Sequence, residues 1–248
     1  MVAENWFMQE DLWVLQKPVI FNSERIRNTF LEVNRILKLT ALTPGEKVLD
    51  LGCGIGRHSL EFASRGFEVT GVDLTASFLT TAAENARSQK VDVRYVQGDM
   101  RTYCEPDTYG LIINMFTSFG YFTDSEDDVR VLSNCFQSLH SGGILMLEML
   151  GKEVVAANIK SKDVLSYGDY QVITHTTISN NWSWLECKWT IIRDKQVYET
   201  RYAHRLYAAT EMARLLEEAG FSEVSFFGDL TGAPYDNMAR SMLIVAKK

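Results

Sequence analysis

Residues 48 to 57 read Val48-Leu49-Asp50-Leu51-Gly52-Cys53-Gly54-Ile55-Gly56-Arg57, an apolar strand running into a glycine-rich turn and then a helix-like segment. Three glycines at alternate positions let the chain turn sharply and leave main chain bare where a ligand could rest. The spacing decides which ligand. A dinucleotide fingerprint, G-x-G-x-x-G counted from Gly52, needs its third glycine at position 57, where Arg57 stands; the glycine is Gly56. Asp50 ends the strand just before the turn, where a pyrophosphate would meet a like charge but a cationic amino acid moiety would find a partner. S-adenosylmethionine carries such an ammonium beside its sulfonium.

Outward from this segment, short apolar runs alternate with helix-like stretches. Lys47 to Leu51, Phe67 to Val72, Val91 to Val96, Tyr109 to Asn114 and Ile144 to Met149 are predicted strands, and this alternation predicts parallel βαβ units. Ser125 to His140 puts Val129, Leu132, Phe136 and Leu139 on one helical face. Two more strand ends carry acids: Asp73 after Val69-Thr70-Gly71-Val72, placed to accept from ribose hydroxyls, and Asp99 in Gly98-Asp99-Met100, placed to accept from an adenine amino group. From Val164 to Tyr207 the chain becomes rich in Thr, Ile, Val, Tyr and Trp, with turn signals at Asn180-Asn181 and Asp194-Lys195, which predicts three or four inserted antiparallel strands. Thr210 is the expected cap of a late helix that Gly220 stops, and strands over Phe221 to Phe227 and Met242 to Ala246 close the chain.

Asp50 to Arg57, Gly71 to Asp73 and Gly98 to Met100 together resemble the class I S-adenosylmethionine-dependent methyltransferases, over roughly Leu42 to Met149 and again near Gly220-Phe221 and Met242 to Lys247. The resemblance implies an α/β fold: a Rossmann-like, seven-stranded, mostly parallel sheet with its last strand antiparallel and helices on both faces, with the antiparallel sheet inserted after the fifth strand. It implies that Asp50 with the backbone of Gly52 and Gly54 holds the methionine end of S-adenosyl-L-methionine, Asp73 the ribose, and Asp99 with Met100 the adenine. Leu74 and Asn114, beside the second and fourth strand ends, join that set, as does Arg27, one of two arginines near the N-terminus (with Arg25) suited to a bidentate grip on a carboxylate. The product would be S-adenosyl-L-homocysteine.

The acceptor carries no comparable signature. The family's nucleic-acid amino-methylating members resemble one another in an N-P-P-Y-like sequence after the fourth strand, where this chain has Asn114 to Phe122, and the chain also lacks the Pro-Cys nucleophile expected of cytosine-carbon methylation. With a net charge of -7 and scattered Lys and Arg, this points to a small molecule rather than nucleic acid. Expected bases are Tyr121, Glu148 and His175, with His204 a further possibility; expected substrate contacts are Tyr121, Tyr235 and Arg240. Four scattered cysteines suggest no metal site. The reading is one domain over 1–248, with a helical lid over 1–40, a core over 41–150 and 208–248, and the insertion over 151–207. An acidic N-terminus and no apolar run of the ~18 residues a membrane span needs suggest a cytoplasmic protein without membrane contact, monomeric or homodimeric. The expected reaction is methyl transfer to an N or O atom of a small metabolite or natural-product intermediate. Alternatives are transfer to carbon, an NAD(P)-dependent oxidoreductase, or a module that binds the donor without turnover.

Overall fold

The structure, a computed structural model, describes residues 2, 4–168 and 170–248. Five parallel strands, β1 (Lys47–Leu51), β2 (Glu68–Asp73), β3 (Arg94–Gln97), β4 (Tyr109–Asn114) and β5 (Leu139–Met149), join β10 (Glu223–Phe227) and β11 (Met242–Lys247) in one sheet. Its order is β10-β11-β5-β4-β1-β2-β3, with β11 antiparallel to both neighbours. The chain leaves β1 toward β2 on one side, and β4 takes its other side. Strand order therefore reverses beside β1, where open α/β sheets form their ligand crevice.

Strand alternation feeds two helical layers. Val48, Val69, Leu111, Ile113 and Met146 pack on one face with Val33 and Ile36 of α2 (Ser23–Thr40) and Phe62 of α3 (Arg57–Ser64). Leu49, Val72, Ile112, Leu145 and Leu147 pack on the other with Val131 and Leu132 of α5 (Ser125–Ser138) and Met212 and Leu216 of α7 (Ala209–Ala219). Every residue of β4 is buried, as a strand covered on both faces requires. Each such side chain contributes ~1.5–3 kcal/mol by leaving water. The remaining helices are α1 (Glu10–Ile20), α4 (Ala76–Gln89) and the short α6 (Lys152–Asn158), preceded by a single 3-10 turn at Trp6–Met8.

The 1–40 segment thus does two things. Asn22 caps α2 by accepting the amide protons of Glu24 and Arg25 at 3.0 and 3.1 Å, and α2 then joins the helical layer. The part before it, from Trp6 through α1, and Arg25 in the first turn of α2 reach the cavity at the strand ends.

The insertion is a four-stranded antiparallel sheet, β6 (Lys162–Tyr167), β7 (Tyr170–Ser179), β8 (Trp184–Arg193) and β9 (Gln196–Arg205). Both expected turns are present: Asn180, Asn181, Asp194 and Lys195 all take positive φ, the conformation tight hairpins require. α1 lies on this sheet through Val19 against Val172 and Ile191, a Gln16 to Thr200 hydrogen bond of 2.9 Å, and the Tyr170 hydroxyl donating to the Pro18 carbonyl. At the other end, the backbone amide of Arg205 donates to the Gly120 carbonyl at 2.6 Å and its guanidinium to the Thr123 carbonyl at 2.7 Å. Arg205 also faces Asp128 at 3.3 Å, which accepts from the Tyr207 hydroxyl at 2.7 Å.

Two local expectations need correction. The cap of α7 is Ala208, not Thr210, because Glu211 reaches back to accept the Ala208 amide proton at 2.8 Å and does the work of a capping hydroxyl. α5 ends at Ser138, so His140 lies in β5 and sits 3.5 Å from Glu46 rather than at a helix terminus.

Candidate active site

Above the carboxyl ends of β1, β2 and β4, beneath Trp6, Trp13 and the inner face of the inserted sheet, lies a cavity of about 330 Å³. Asp50, Gly52, Gly54, Asp73, Leu74, Asp99, Met100 and Tyr121 all line it.

At the head of the cavity, Oδ2 of Asp50 accepts from the Ser59 amide at 3.1 Å and its hydroxyl at 2.6 Å, while Oδ1 has no hydrogen-bond partner among the described residues. Burial pushes this carboxyl up, opposed by His58, Ser59 and Arg57. Asp73 accepts the Gly54 amide at 2.7 Å and the Thr75 amide at 2.8 Å, and burial lifts it too against those bonds. Two carboxylates held above their ordinary range at one cavity are a place where a cation and hydroxyl donors relieve an unfavourable burial. Asp99 differs. Burial raises it, but the guanidinium of Arg101, at 2.6 to 3.1 Å, outweighs burial and holds it below the usual carboxylate range.

The glycine loop has a further reason for its composition. A Cβ on Gly54, at φ +56°, would sit 2.5 Å from the Phe21 ring, and one on Gly56 would run into the Tyr95 hydroxyl. Bare backbone here seats the protein's own rings as well as a ligand.

After β4, Phe116 and Thr117 both adopt left-handed backbone, at φ +59° and +60°. Such conformations cost about 1–3 kcal/mol each outside glycine and persist where surroundings hold them. Glu148 holds them: its Oε2 accepts the Phe116 amide proton at 2.9 Å and its main-chain carbonyl that of Thr117 at 3.0 Å. The Phe116 ring then lies beneath the guanidinium groups of Arg57 at 4.5 Å and Arg25 at 5.1 Å. Behind it, Glu32 accepts from both Arg57 and His58, and the His58 ring stacks on that of Phe116.

Several expected site residues stand elsewhere. Glu148 is occupied behind the β4 turn and does not reach the cavity, which makes it a positioning residue and not a base. Asn114 supports the loop from below, donating to the Leu51 carbonyl at 2.9 Å. Arg27 points to solvent because α2 turns the i, i+4 pair Arg25 and Thr29 inward, and Arg25 lines the cavity in its place. His175 falls on the outer face of β7, between Lys162 and Lys188, since alternation gives the inner face to Val172 and Thr176. Tyr235 donates to Glu153 at 2.9 Å, and Arg240 is exposed, because the loop before β11 folds back on Gly228; neither lines the cavity. Residues the sequence did not single out as site residues are Trp6, Trp13, Arg57, Trp189 and Tyr202, each ordinary in its local pattern and brought together only by folding.

A doubly wound sheet with this strand order, and an acid at or just beyond the end of each of its first three strands, resembles the class I S-adenosylmethionine-dependent methyltransferases. Residues 48–143 match the methyltransferase domain family. The chain is similar to the glycine/sarcosine N-methyltransferase of Aphanothece halophytica, with 26% identity over 207 residues, covering 82% of this chain and 76% of that protein. It is also similar to the dTDP-3-amino-3,4,6-trideoxy-alpha-D-glucopyranose N,N-dimethyltransferase of Streptomyces venezuelae, 26% identical over 58% of this chain and 60% of that one. Its fold matches that of an S-adenosylmethionine-dependent methyltransferase from Clostridium acetobutylicum, at a TM-score of 0.80, 14% identity, and coverage of 94% and 96%. Among the described residues no helix is long and apolar enough to cross a membrane.

Proposed function

We propose that the protein transfers a methyl group from S-adenosyl-L-methionine to an N or O atom of a small metabolite. The observation that carries this is the convergence of Asp50, Asp73 and Asp99 on one cavity beside the glycine loop. Asp50, with the free Oδ1, would take the donor's ammonium, helped by the backbone of Gly52 and Gly54. Arg25 is the proposed carboxylate partner, Asp73 the ribose acceptor, and Leu74, Met100 and Asp99 the adenine end.

The donor, when bound, supplies an activated methyl whose leaving group is a neutral thioether. The protein's share of the chemistry is to align the acceptor and exclude water, and alignment alone supplies up to ~7–11 kcal/mol in ideal cases. Tyr121 lines the cavity, and burial together with the Asp73 charge pushes its phenol well up. It is therefore a hydrogen-bond donor to the acceptor and not a base. The relatives named for N-methylation of small amines and amino sugars favour a small acceptor over a nucleic acid.

Incubating the protein with isotopically labelled S-adenosylmethionine and a metabolite mixture, then reading label uptake by mass spectrometry, tests the reading. A labelled small molecule is expected. Label found only in RNA or DNA, or only on carbon, would contradict it.

A further inference from the structure

The cavity has two halves of opposite chemistry. Its charged lining residues, Arg25, Arg57, Asp50, Asp73 and Asp99, belong to the glycine loop, the strand ends and α2. The other half is a wall of rings. Trp6 lies 4.8 Å from Tyr121, 5.3 Å from Trp13 and 5.8 Å from Tyr202, and Tyr202 lies 5.6 Å from Trp189. Strand alternation sends Tyr202 and His204 of β9 to the same inner face, and His204 lines the cavity with them.

His204 is 2% exposed, and its Nδ1 lies 3.2 Å from the Arg205 carbonyl oxygen. A carbonyl only accepts, so Nδ1 carries the proton and Nε2 the lone pair. Nε2 has no hydrogen-bond partner among the described residues. Burial, opposed only by that carbonyl, lowers the imidazole to about 4, so it is neutral at neutral pH. In the ring-lined half, the titratable side chains that line the cavity with it are Tyr202 on β9 and Tyr121 after β4, whose phenols burial pushes well up, while the Arg205 guanidinium is turned to the Phe122 and Thr123 carbonyls and Asp128.

We propose that Nε2 of His204 accepts the hydrogen bond, and then the proton, of a hydroxyl group on a flat, uncharged methyl acceptor held against the Trp6, Tyr121 and Tyr202 rings. This rests on the methyl-donor reading of the charged half. Ring faces favour a flat partner. Among the described residues the ring-lined half offers no cation for a phosphate, so a nucleotide-linked sugar would bring a diphosphate to a wall unable to pair with it. In the step, the acceptor oxygen bonds to the methyl carbon, the carbon–sulfur bond breaks with its electron pair left on sulfur, and the hydroxyl proton passes to Nε2. The positive charge that began on sulfur ends on the imidazole, whose Nδ1–H stays on the Arg205 carbonyl and whose weak basicity returns the proton to water.

The test uses the full-length protein loaded with S-adenosylhomocysteine and 4-nitrophenol, held in its neutral form, as probe. Quenching of tryptophan emission should report binding, and His204→Phe should weaken it at least ~10-fold with S-adenosylhomocysteine affinity unchanged, while His204→Gln, which keeps an acceptor, restores most of it. Thymidine diphosphate should not displace the probe. In wild-type protein carrying ¹⁵N-labelled histidine, the His204 signals should show Nδ1 protonated and Nε2 bare at neutral pH, with the Nε2 signal moving on probe addition. Equal probe affinity in His204→Phe, an Nε2-protonated ring, or displacement by thymidine diphosphate would overturn the inference. Should S-adenosylhomocysteine bind and the phenol not, this inference alone falls; should S-adenosylhomocysteine itself fail to bind, the donor reading falls.

Discussion

The two halves of the cavity are made from different materials. The donor half is made by the parallel sheet: backbone amides, glycines and carboxylates at strand ends, positions dictated by the fold itself. The ring-lined half is made by side chains on the inserted sheet, on the segment from Trp6 to α1 and, through Tyr121, on the loop after β4; α1 is tied to the inserted sheet by polar contacts, and the inserted sheet to the loop after β4 and to α5 through Arg205. A carboxylate at a strand end cannot move without breaking the sheet. A ring on a hairpin is replaceable. The donor is thus fixed by architecture and the acceptor by decoration, which is why one half shows in a motif and the other does not.

The largest effect that would break this contrast lies in the donor half. Asp73→Ala removes the acceptor of two backbone amide protons as well as the proposed ribose contact. At ~1.5–3 kcal/mol for each bond to a charged group, S-adenosylhomocysteine affinity should fall about 100-fold by calorimetry. An unchanged affinity would remove Asp73 from the site.

The attachment of the inserted sheet gives the next. Asp128 is fully buried and its carboxyl is pushed up to about 6, mainly by burial, against the bonds from Tyr207 and Arg205. Between the unfolded value near 4 and about 6, the folded state binds more protons than the unfolded one. This group therefore makes stability fall as pH rises through that window, by roughly 1.4 kcal/mol per unit. Asp128→Asn should abolish that share of the slope, read as the difference in chemical-denaturation stability between variant and wild type at each pH; a difference independent of pH would refute it.

A smaller effect sharpens the boundary of the donor half. Arg25→Ala should cost about tenfold in S-adenosylhomocysteine affinity, the loss of one charge-assisted contact, while the exposed Arg27→Ala stays within about twofold. The reverse order would place the carboxylate elsewhere.

What the sequence revealed follows the same division. The strand β4 and the helix α5 were legible because a fully buried strand and an amphipathic helix write their periodicity into the chain. The turn at Asp194-Lys195 was legible because left-handed pairs demand particular residues. That Asp50, Asp73 and Asp99 line one cavity was legible because acids at the ends of neighbouring parallel strands lie on the same edge of the sheet. Arg27 was expected in place of Arg25 because two residues along a helix differ by most of half a turn, and no local pattern says which faces in. His175 and His204 present the same difficulty in strands, where a side chain's face depends on register with a partner that the chain reaches only after folding. Glu148 looked like a base because it ends a strand beside the crevice; its true task, pinning Phe116 and Thr117, depends on a backbone conformation that no side-chain pattern announces.

The central claim is that the three strand-end carboxylates define a methyl-donor site, and the most direct measurement is isothermal titration of the wild-type protein with S-adenosylhomocysteine and, separately, with NADH. One saturable site for S-adenosylhomocysteine and none for NADH is expected. Folded protein that gives no heat with S-adenosylhomocysteine, or that binds NADH in its stead, would contradict it.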